Sequence, residues 1–299
     1  MLELTYELKI LCRGIPKDTL IEWLIGHNID TFVEGVVDDL DIDHEYNLPM
    51  TPKYSEVGGD DSPLSIFKFE LEWLEEVKDN LNETFGEKII CEIHQSKTHE
   101  WVEGWKKNFT PIETEKFLIV PPWDKDIQTD RKKLVIEPGL AFGTGHHATT
   151  LLCLQLLERF KFKISDSVLD VGTGTGILAI ACSKLGVEKI FATDIDPDAL
   201  IAAKYNIEMN LVETILLENT DVPQGREFAM VVANILAVVL KKILPTLAIA
   251  TAKGGHLILS GLLTEDAQDM IAEAENLGFK FDIEQSLDCW SALLFCKIA

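Results

Sequence analysis

The chain holds 299 residues, 46% hydrophobic and 26% charged, with a formal net charge of −23. The length suits two domains, and the composition is that of a globular protein rather than a disordered, collagenous or disulfide-stapled chain. The acid excess repels phosphate backbones, which disfavours sequence-independent nucleic-acid binding, and it favours a basic partner.

The excess is uneven: residues 1–98 carry 22 acids against 8 bases. No apolar run reaches the roughly eighteen residues of a membrane span. The opening residues lack a basic stretch followed by an apolar core, so no signal peptide is expected. Six scattered cysteines (Cys12, Cys91, Cys153, Cys182, Cys289, Cys296) form no C-x-x-C pair. They read as reduced core thiols of a cytoplasmic protein, with no metal site.

Residues 3–12 alternate as a strand does. Residues 15–18 open a short helical pattern through Trp23, Leu24 and Ile25, and residues 31–37 read as a second strand. Residues 38–63 are acidic and turn-rich, as a loop is. Residues 65–70 predict a third strand, 71–85 a helix and 88–94 a fourth strand. This β-α-β-β-α-β order predicts a ferredoxin-like α+β domain over residues 1–96, a fold that carries no function by itself. Residues 97–125 read as a connector rich in tryptophan and proline, in which Trp101 and Trp105 are expected to pack the two domains together.

From Lys133 the pattern becomes strand, helix, strand, helix. Strands end near Asp170, Asp194, Leu217, Asn234 and Ser260, and two more run near 279–284 and 290–297. Helices fall at about 147–161, 176–186, 197–210, 236–250 and 264–277. Five strands with crossovers and a terminal hairpin predict a doubly wound α/β sheet over residues 126–299.

The glycine turn carries the most information. An apolar strand, Val168-Leu169-Asp170-Val171, runs into Gly172, Gly174 and Gly176 and then a helix. An open α/β sheet builds a ligand crevice in this way at the carboxyl end of its first strand. A dinucleotide fingerprint is G-x-G-x-x-G. Here Ile177 stands where the third glycine would be, so an adenosyl ligand without a pyrophosphate fits better than NAD. Asp194 follows Gly172 by twenty-two residues, at the end of the next strand. A carboxylate there accepts bonds from both ribose hydroxyls, each contributing about 1.5–3 kcal/mol.

Three further segments are expected at the crevice. The loop of residues 137–150 offers glycines, hydroxyls (Thr144, Thr150), Phe142 and a helix start whose backbone N–H groups could hold a carboxylate. Asn234 ends an apolar strand and should project into the crevice, where its amide can accept hydrogen bonds from an amine. Ser260-Gly261 ends the next strand at a sharp turn. His146 and His147 fit local hydrogen bonding better than proton transfer.

These segments, with Asp194-Ile195-Asp196-Pro197 and Asn234-Ile235-Leu236, resemble the class I S-adenosylmethionine methyltransferases, and more narrowly the ribosomal protein L11 methyltransferase (PrmA) family. The connector, Trp101…Trp105…Phe109-x-Pro111 followed by Leu118-Ile119-Val120-Pro121-Pro122-Trp123, resembles that family's linker. Two departures stand out: His146-His147-Ala148 where Thr-His-Pro is common, and Thr173 where a cysteine is common. The resemblance implies a seven-stranded Rossmann-like class I methyltransferase sheet behind an acidic ferredoxin-like domain that captures the ribosomal protein. It implies that Thr150, Gly172, Asp194 and Asn234 bind S-adenosylmethionine or border its methyl group. The loop and turn residues Phe142, Thr144 and Gly174 join them as cofactor contacts, and Asn234 is the catalytic candidate.

The expected reaction is methyl transfer to a lysine or N-terminal amine of ribosomal protein L11. The alternatives are a protein-lysine methyltransferase acting on another protein, such as an electron-transfer flavoprotein subunit, a nucleic-acid base methyltransferase, and an acidic adaptor without activity. Base methyltransferases place an aromatic after Asn-Pro-Pro to stack the flipped base. Asn234 is followed by Ile235, Leu236 and Ala237.

Overall fold

The computed structural model describes residues 4–27, 29, 33–34, 63–68, 70–97, 110–138 and 142–298. The chain divides into two compact units, Met1–Phe109 and Thr110–Ala299. The acidic stretch 38–62, Trp101, Trp105 and Phe109 lie outside the described residues.

The first unit runs β1 (Leu4–Cys12), α1 (Lys17–Gly26), β2 (Val33–Glu34), β3 (Leu64–Lys68), α2 (Leu71–Phe85) and β4 (Ile89–Lys97). Its strands form an antiparallel sheet in the order β2-β3-β1-β4. Leu8 and Ile10 of β1 share one face with Leu64 and Ile66 of β3. Leu20 and Leu24 of α1 and Leu74, Val77 and Leu81 of α2 close over them in one buried core. Period-two strand positions thus meet helix positions three and four apart.

The second unit opens with a small sheet of β5 (Ile112–Glu113), β6 (Phe117–Val120) and β7 (Lys132–Val135), in which β6 and β7 are parallel. Residues 112–120, read from sequence as part of the connector, therefore carry two paired strands of this unit. Phe117 and Ile119 enter the main core on one face, while Leu118 and Val120 are buried on the other.

The large sheet comprises β8 (Ser167–Val171), β9 (Lys189–Asp194), β10 (Ile215–Asn219), β11 (Phe228–Asn234), β12 (Thr251–Leu263), β13 (Phe279–Leu287) and β14 (Trp290–Lys297). Its order is β10-β9-β8-β11-β12-β14-β13; the first five strands are parallel and the last two pair antiparallel. The helices are α3 (Ala148–Leu157), α4 (Ile177–Lys184), α5 (Pro197–Met209), α6 (Ala237–Ala250) and α7 (Ala267–Asn276).

Both faces of the sheet are covered, which explains strands that are apolar throughout. Val168, Met230, Val232, Ile258 and Leu294 face α3 and α4. Leu169, Val171, Val231, Ala233, Leu257, Leu259 and Leu293 face α6 and α7. The strand order reverses between β8 and β11, and ligands of open α/β sheets bind at such a switch point, outside the carboxyl ends of the strands. No helix among the described residues is long and apolar enough to cross a membrane.

Candidate active site

Val171 at the end of β8 pairs with Thr193 of β9 on one side and Ala233 of β11 on the other. Gly172, Asp194 and Asn234 therefore leave the sheet at one level, beside the switch point. Gly172 has φ +68° and Gly174 φ +55°. A Cβ at Gly172 would lie 2.4 Å from Ile235 Cγ2, and one at Gly174 2.3 Å from the Phe142 carbonyl oxygen. Only glycine fits either place. The neighbours are the protein's own, independently of any ligand: Ile235, just past β11, at Gly172, and the loop that carries Phe142 at Gly174. That loop is fastened to the turn: Thr175 N–H donates to Phe142 O at 2.9 Å, and the Thr175 hydroxyl donates to Gly143 O at 2.6 Å.

Asp194 is tied on both oxygens. Gly174 N–H donates to Oδ2 at 2.9 Å and Asp196 N–H to Oδ1 at 3.0 Å. Burial raises its carboxyl above the ordinary carboxylate value, and these two N–H groups oppose the shift. A carboxylate has about four lone-pair sites, so each oxygen keeps capacity for a further donor.

Asn234 is 8% exposed. Its Nδ2 donates to the Thr150 hydroxyl at 3.4 Å. Its Oδ1 is buried and has no hydrogen-bond partner among the described residues. Leaving such an acceptor unpaired costs about 1–3 kcal/mol, a cost that an arriving N–H donor removes. Thr150 is fully buried on the first turn of α3. Ser260, paired with Asn234 across β11 and β12, is turned away to donate to Ser291 O at 2.9 Å.

The α3 start is already capped from within. His147 Nδ1 accepts from Thr149 N–H at 3.3 Å and lies 2.8 Å from the Thr149 hydroxyl. The Thr149 N–H, one of those expected to hold a carboxylate, is therefore occupied. Burial pushes the His147 pKa down to about 4, so the ring is neutral near pH 7 and its Nδ1 serves as an acceptor. His146 is also lowered by burial, against hydrogen bonds with backbone groups of Thr110 and Thr144. Thr144 is half-buried on the same loop. Phe142, 50% exposed, packs edge-on against His147 at 5.2 Å, and His147 against Trp290 at 4.9 Å.

Three residues were missed by the sequence reading. Asp170 is 1% exposed at the end of β8. Its Oδ2 accepts from the Thr173 hydroxyl at 2.6 Å and from Ala179 N–H at 3.2 Å, while Oδ1 has no partner among the described residues. Burial pushes its pKa up to about 6, opposed by the Thr173 and Ala179 bonds. An acid inside an apolar strand was the available signal. The others are Asn206 on α5 and Asn210, one turn on, at its C-cap. Asn206 accepts from Glu137 N–H at 2.9 Å and donates to Thr175 O at 2.9 Å. Asn210 accepts from Val135 N–H at 2.9 Å and donates back to Val135 O. They tie the exit of β7 to the glycine turn, and nothing in local sequence announces such partners. Among the described residues no three His, Cys, Asp or Glu side chains gather as a metal site would require.

The model of the family described as ribosomal protein L11 methyltransferase (PrmA) matches residues 8–297. A ribosomal protein L11 methyltransferase of Bacillus subtilis (strain 168) is 36% identical over 240 residues, spanning 75% of this chain and 77% of that protein. Another, from Shewanella piezotolerans (strain WP3 / JCM 13877), is 40% identical over 211 residues, spanning 70% and 71%. The crystal structure of a ribosomal protein L11 methylase from Lactobacillus delbrueckii subsp. bulgaricus aligns with TM-score 0.60 and 33% identity, over 64% of this chain and 100% of that one. The chain belongs to the ribosomal protein L11 methyltransferase family.

Proposed function

We propose that this protein is an S-adenosylmethionine-dependent protein N-methyltransferase of the cytoplasm that modifies lysine side-chain or N-terminal amines of ribosomal protein L11. Membership of the family supports the reading, and the single structural observation that carries it is the buried, unpartnered Oδ1 of Asn234 at the switch point. The residues present fit the cofactor. Gly172 and Gly174 form the turn beside it, Asp194 has acceptor capacity for ribose hydroxyls, and Phe142, Thr144 and Thr150 border the same crevice. When bound, S-adenosylmethionine supplies a methyl group on a positively charged sulfur.

Asn234 Oδ1 accepts an N–H of the incoming amine and so orients its lone pair. Thr150 holds the amide the right way round by accepting from Nδ2. No strong base is needed. A lysine has a reference pKa near 10.4, so freeing its lone pair at pH 7 costs about 4–5 kcal/mol, and desolvation and a nearby positive charge both reduce that cost. Positioning alone can supply about 7–11 kcal/mol. The neutral His147, occupied in capping α3, is not required as a proton acceptor.

In this reading residues 1–96 form a ferredoxin-like recognition domain and 97–125 the connector to the catalytic domain. The acidic first third of the chain favours a basic protein, and neither nucleic acid nor membrane takes part. The test is incubation of the full chain with methyl-labelled S-adenosylmethionine and purified large-subunit ribosomal proteins. Label on L11 is the expected result. Cofactor binding without label on L11 refutes the substrate assignment.

A further inference from the structure

Gly261 interrupts β12 where that strand passes the crevice. Ser260 pairs with Ala292 of β14 and Leu262 with Ser291, so Gly261 is an extra residue in the strand, with φ +89°. A bulge of this kind bends its strand and re-aims what lies beside it. Here it turns Leu262 into the core under α6 and α7, with Leu257 and Leu259, where unbroken alternation would point it to the other face. A positive φ by itself favours glycine, and the space around Gly261 makes a second demand.

A Cβ on Gly261 would lie 2.2 Å from Ile235 O, 2.7 Å from its carbonyl carbon and 3.0 Å from its N. All three are main-chain atoms, so no change of rotamer relieves them. Ile235 N–H donates to Ser260 O at 3.1 Å, one step past the pair Asn234↔Ser260. On its other side, Ile235 Cγ2 fills the place that a Cβ on Gly172 would take. β8 and β12 flank β11 in the sheet. The residue that leaves β11 thus passes between two glycines, one from each neighbouring strand.

The Asn234 C=O and the Ile235 N share one planar peptide unit, so a shift of Ile235 turns the main chain of Asn234. The Asn234 amide has little to hold it against such a turn. Its Nδ2 makes one long bond, 3.4 Å to the Thr150 hydroxyl, and its Oδ1 has no partner among the described residues. We propose that Gly261 is a positioning residue for methyl transfer. By lacking a side chain it lets Ile235 lie against β12, and so fixes the aim of Asn234 at the incoming amine. The inference rests on the reading of Asn234 as the group that orients that amine.

The test compares Gly261→Ala with Gly254→Ala in the full chain. Gly254 also lies on β12 with φ +77°, and a Cβ there meets nothing within 4 Å, so its replacement brings similar backbone strain without the contact. Gly261→Ala should lower kcat for L11 about 10- to 100-fold, as a small misplacement of reacting groups does. KM for L11 and cofactor affinity by calorimetry should stay as in the unaltered chain. Gly254→Ala should leave kcat alone. Added to Asn234→Ala, Gly261→Ala should cost less than about twofold more, because the amide it acts through is gone. The side-chain NH2 resonances of Asn234 should move in Gly261→Ala and stay in place in Gly254→Ala, a readout that needs neither substrate nor cofactor.

Unmoved resonances, a kcat loss shared by Gly254→Ala, or an undiminished further loss in the Asn234→Ala background would overturn the positioning role. Loss of turnover in Asn234→Ala with none in Gly261→Ala removes this proposal alone. Full turnover in Asn234→Ala removes the reading of the amide and the proposal with it. If Gly261→Ala does not fold, Ile235→Gly loosens the same segment without adding an atom. Shifted Asn234 resonances and a lowered kcat then support the proposal, and unchanged values overturn it.

Discussion

Replacing Asn234 by alanine separates chemistry from stability. The side chain makes one long bond, Nδ2 to the Thr150 hydroxyl at 3.4 Å, and leaves Oδ1 buried without a partner. Removing it forfeits about 0.5–1.5 kcal/mol for the bond and recovers about 1–3 kcal/mol of desolvation cost at the orphan oxygen. Loss of a few packed atoms takes back part of that gain. Folding stability should therefore change by no more than about 1 kcal/mol either way. Activity should not be spared. The amine nitrogen gains positive charge as the methyl transfers, so in the transition state its hydrogen bond to Oδ1 is one from a charged donor, worth about 1.5–3 kcal/mol. That converts to a fall of roughly 10- to 150-fold in kcat/KM. The assays are methyl transfer to L11 at saturating cofactor and urea unfolding of the same preparation. Full turnover would refute the role of the amide, and a stability loss above about 3 kcal/mol would show that Oδ1 has a partner in the folded protein.

Asn206→Ala should lower stability by about 1–4 kcal/mol, because it takes the Asn206 partner from the buried Thr175 O and from the part-buried Glu137 N–H; cofactor affinity, measured by calorimetry, should fall with it. His147→Ala should cost about 0.5–2 kcal/mol through loss of the α3 cap, yet leave no missing limb near pH 6.5 in the rate profile, since burial already holds the ring near 4. Asp170 has its pKa raised by burial to about 6 from an ordinary 3.8. Between those values the folded chain holds a proton that the unfolded chain has lost. Unfolding free energy of the unaltered protein, measured against Asp170→Asn, should therefore fall as pH rises from about 4 to 7 and level off above it. A difference that does not vary with pH would remove this account of Asp170.

Much of the catalytic sheet was legible along the chain. Apolar runs ending in Asp170, Asp194, Asn234 and Ser260 are strands buried on both faces, and β8, β9, β11 and β12 occupy those places. The helices begin within a few residues of their expected starts, and α5 does so behind a capping side chain, Asp196, which accepts from Asp198 N–H. The glycine turn and Asp194 were readable for the same reason: φ above zero and a strand-end carboxylate are local properties, written in residue type and spacing. Residues 112–120 were not, since four consecutive buried residues in a connector do not say which strand they will pair with.

What only the tertiary structure decided are the partners. Asn206 reaches Glu137 across 69 positions, Asn210 reaches Val135 across 75, and Asn234 reaches Thr150 across 84. The sequence by itself determined which residues stand at the ends of strands, because side-chain periodicity and turn chemistry act over a few residues. Which of those ends share one crevice, and which buried polar atom is left over to meet a substrate, depends on contacts between segments far apart in the chain. No local pattern records them.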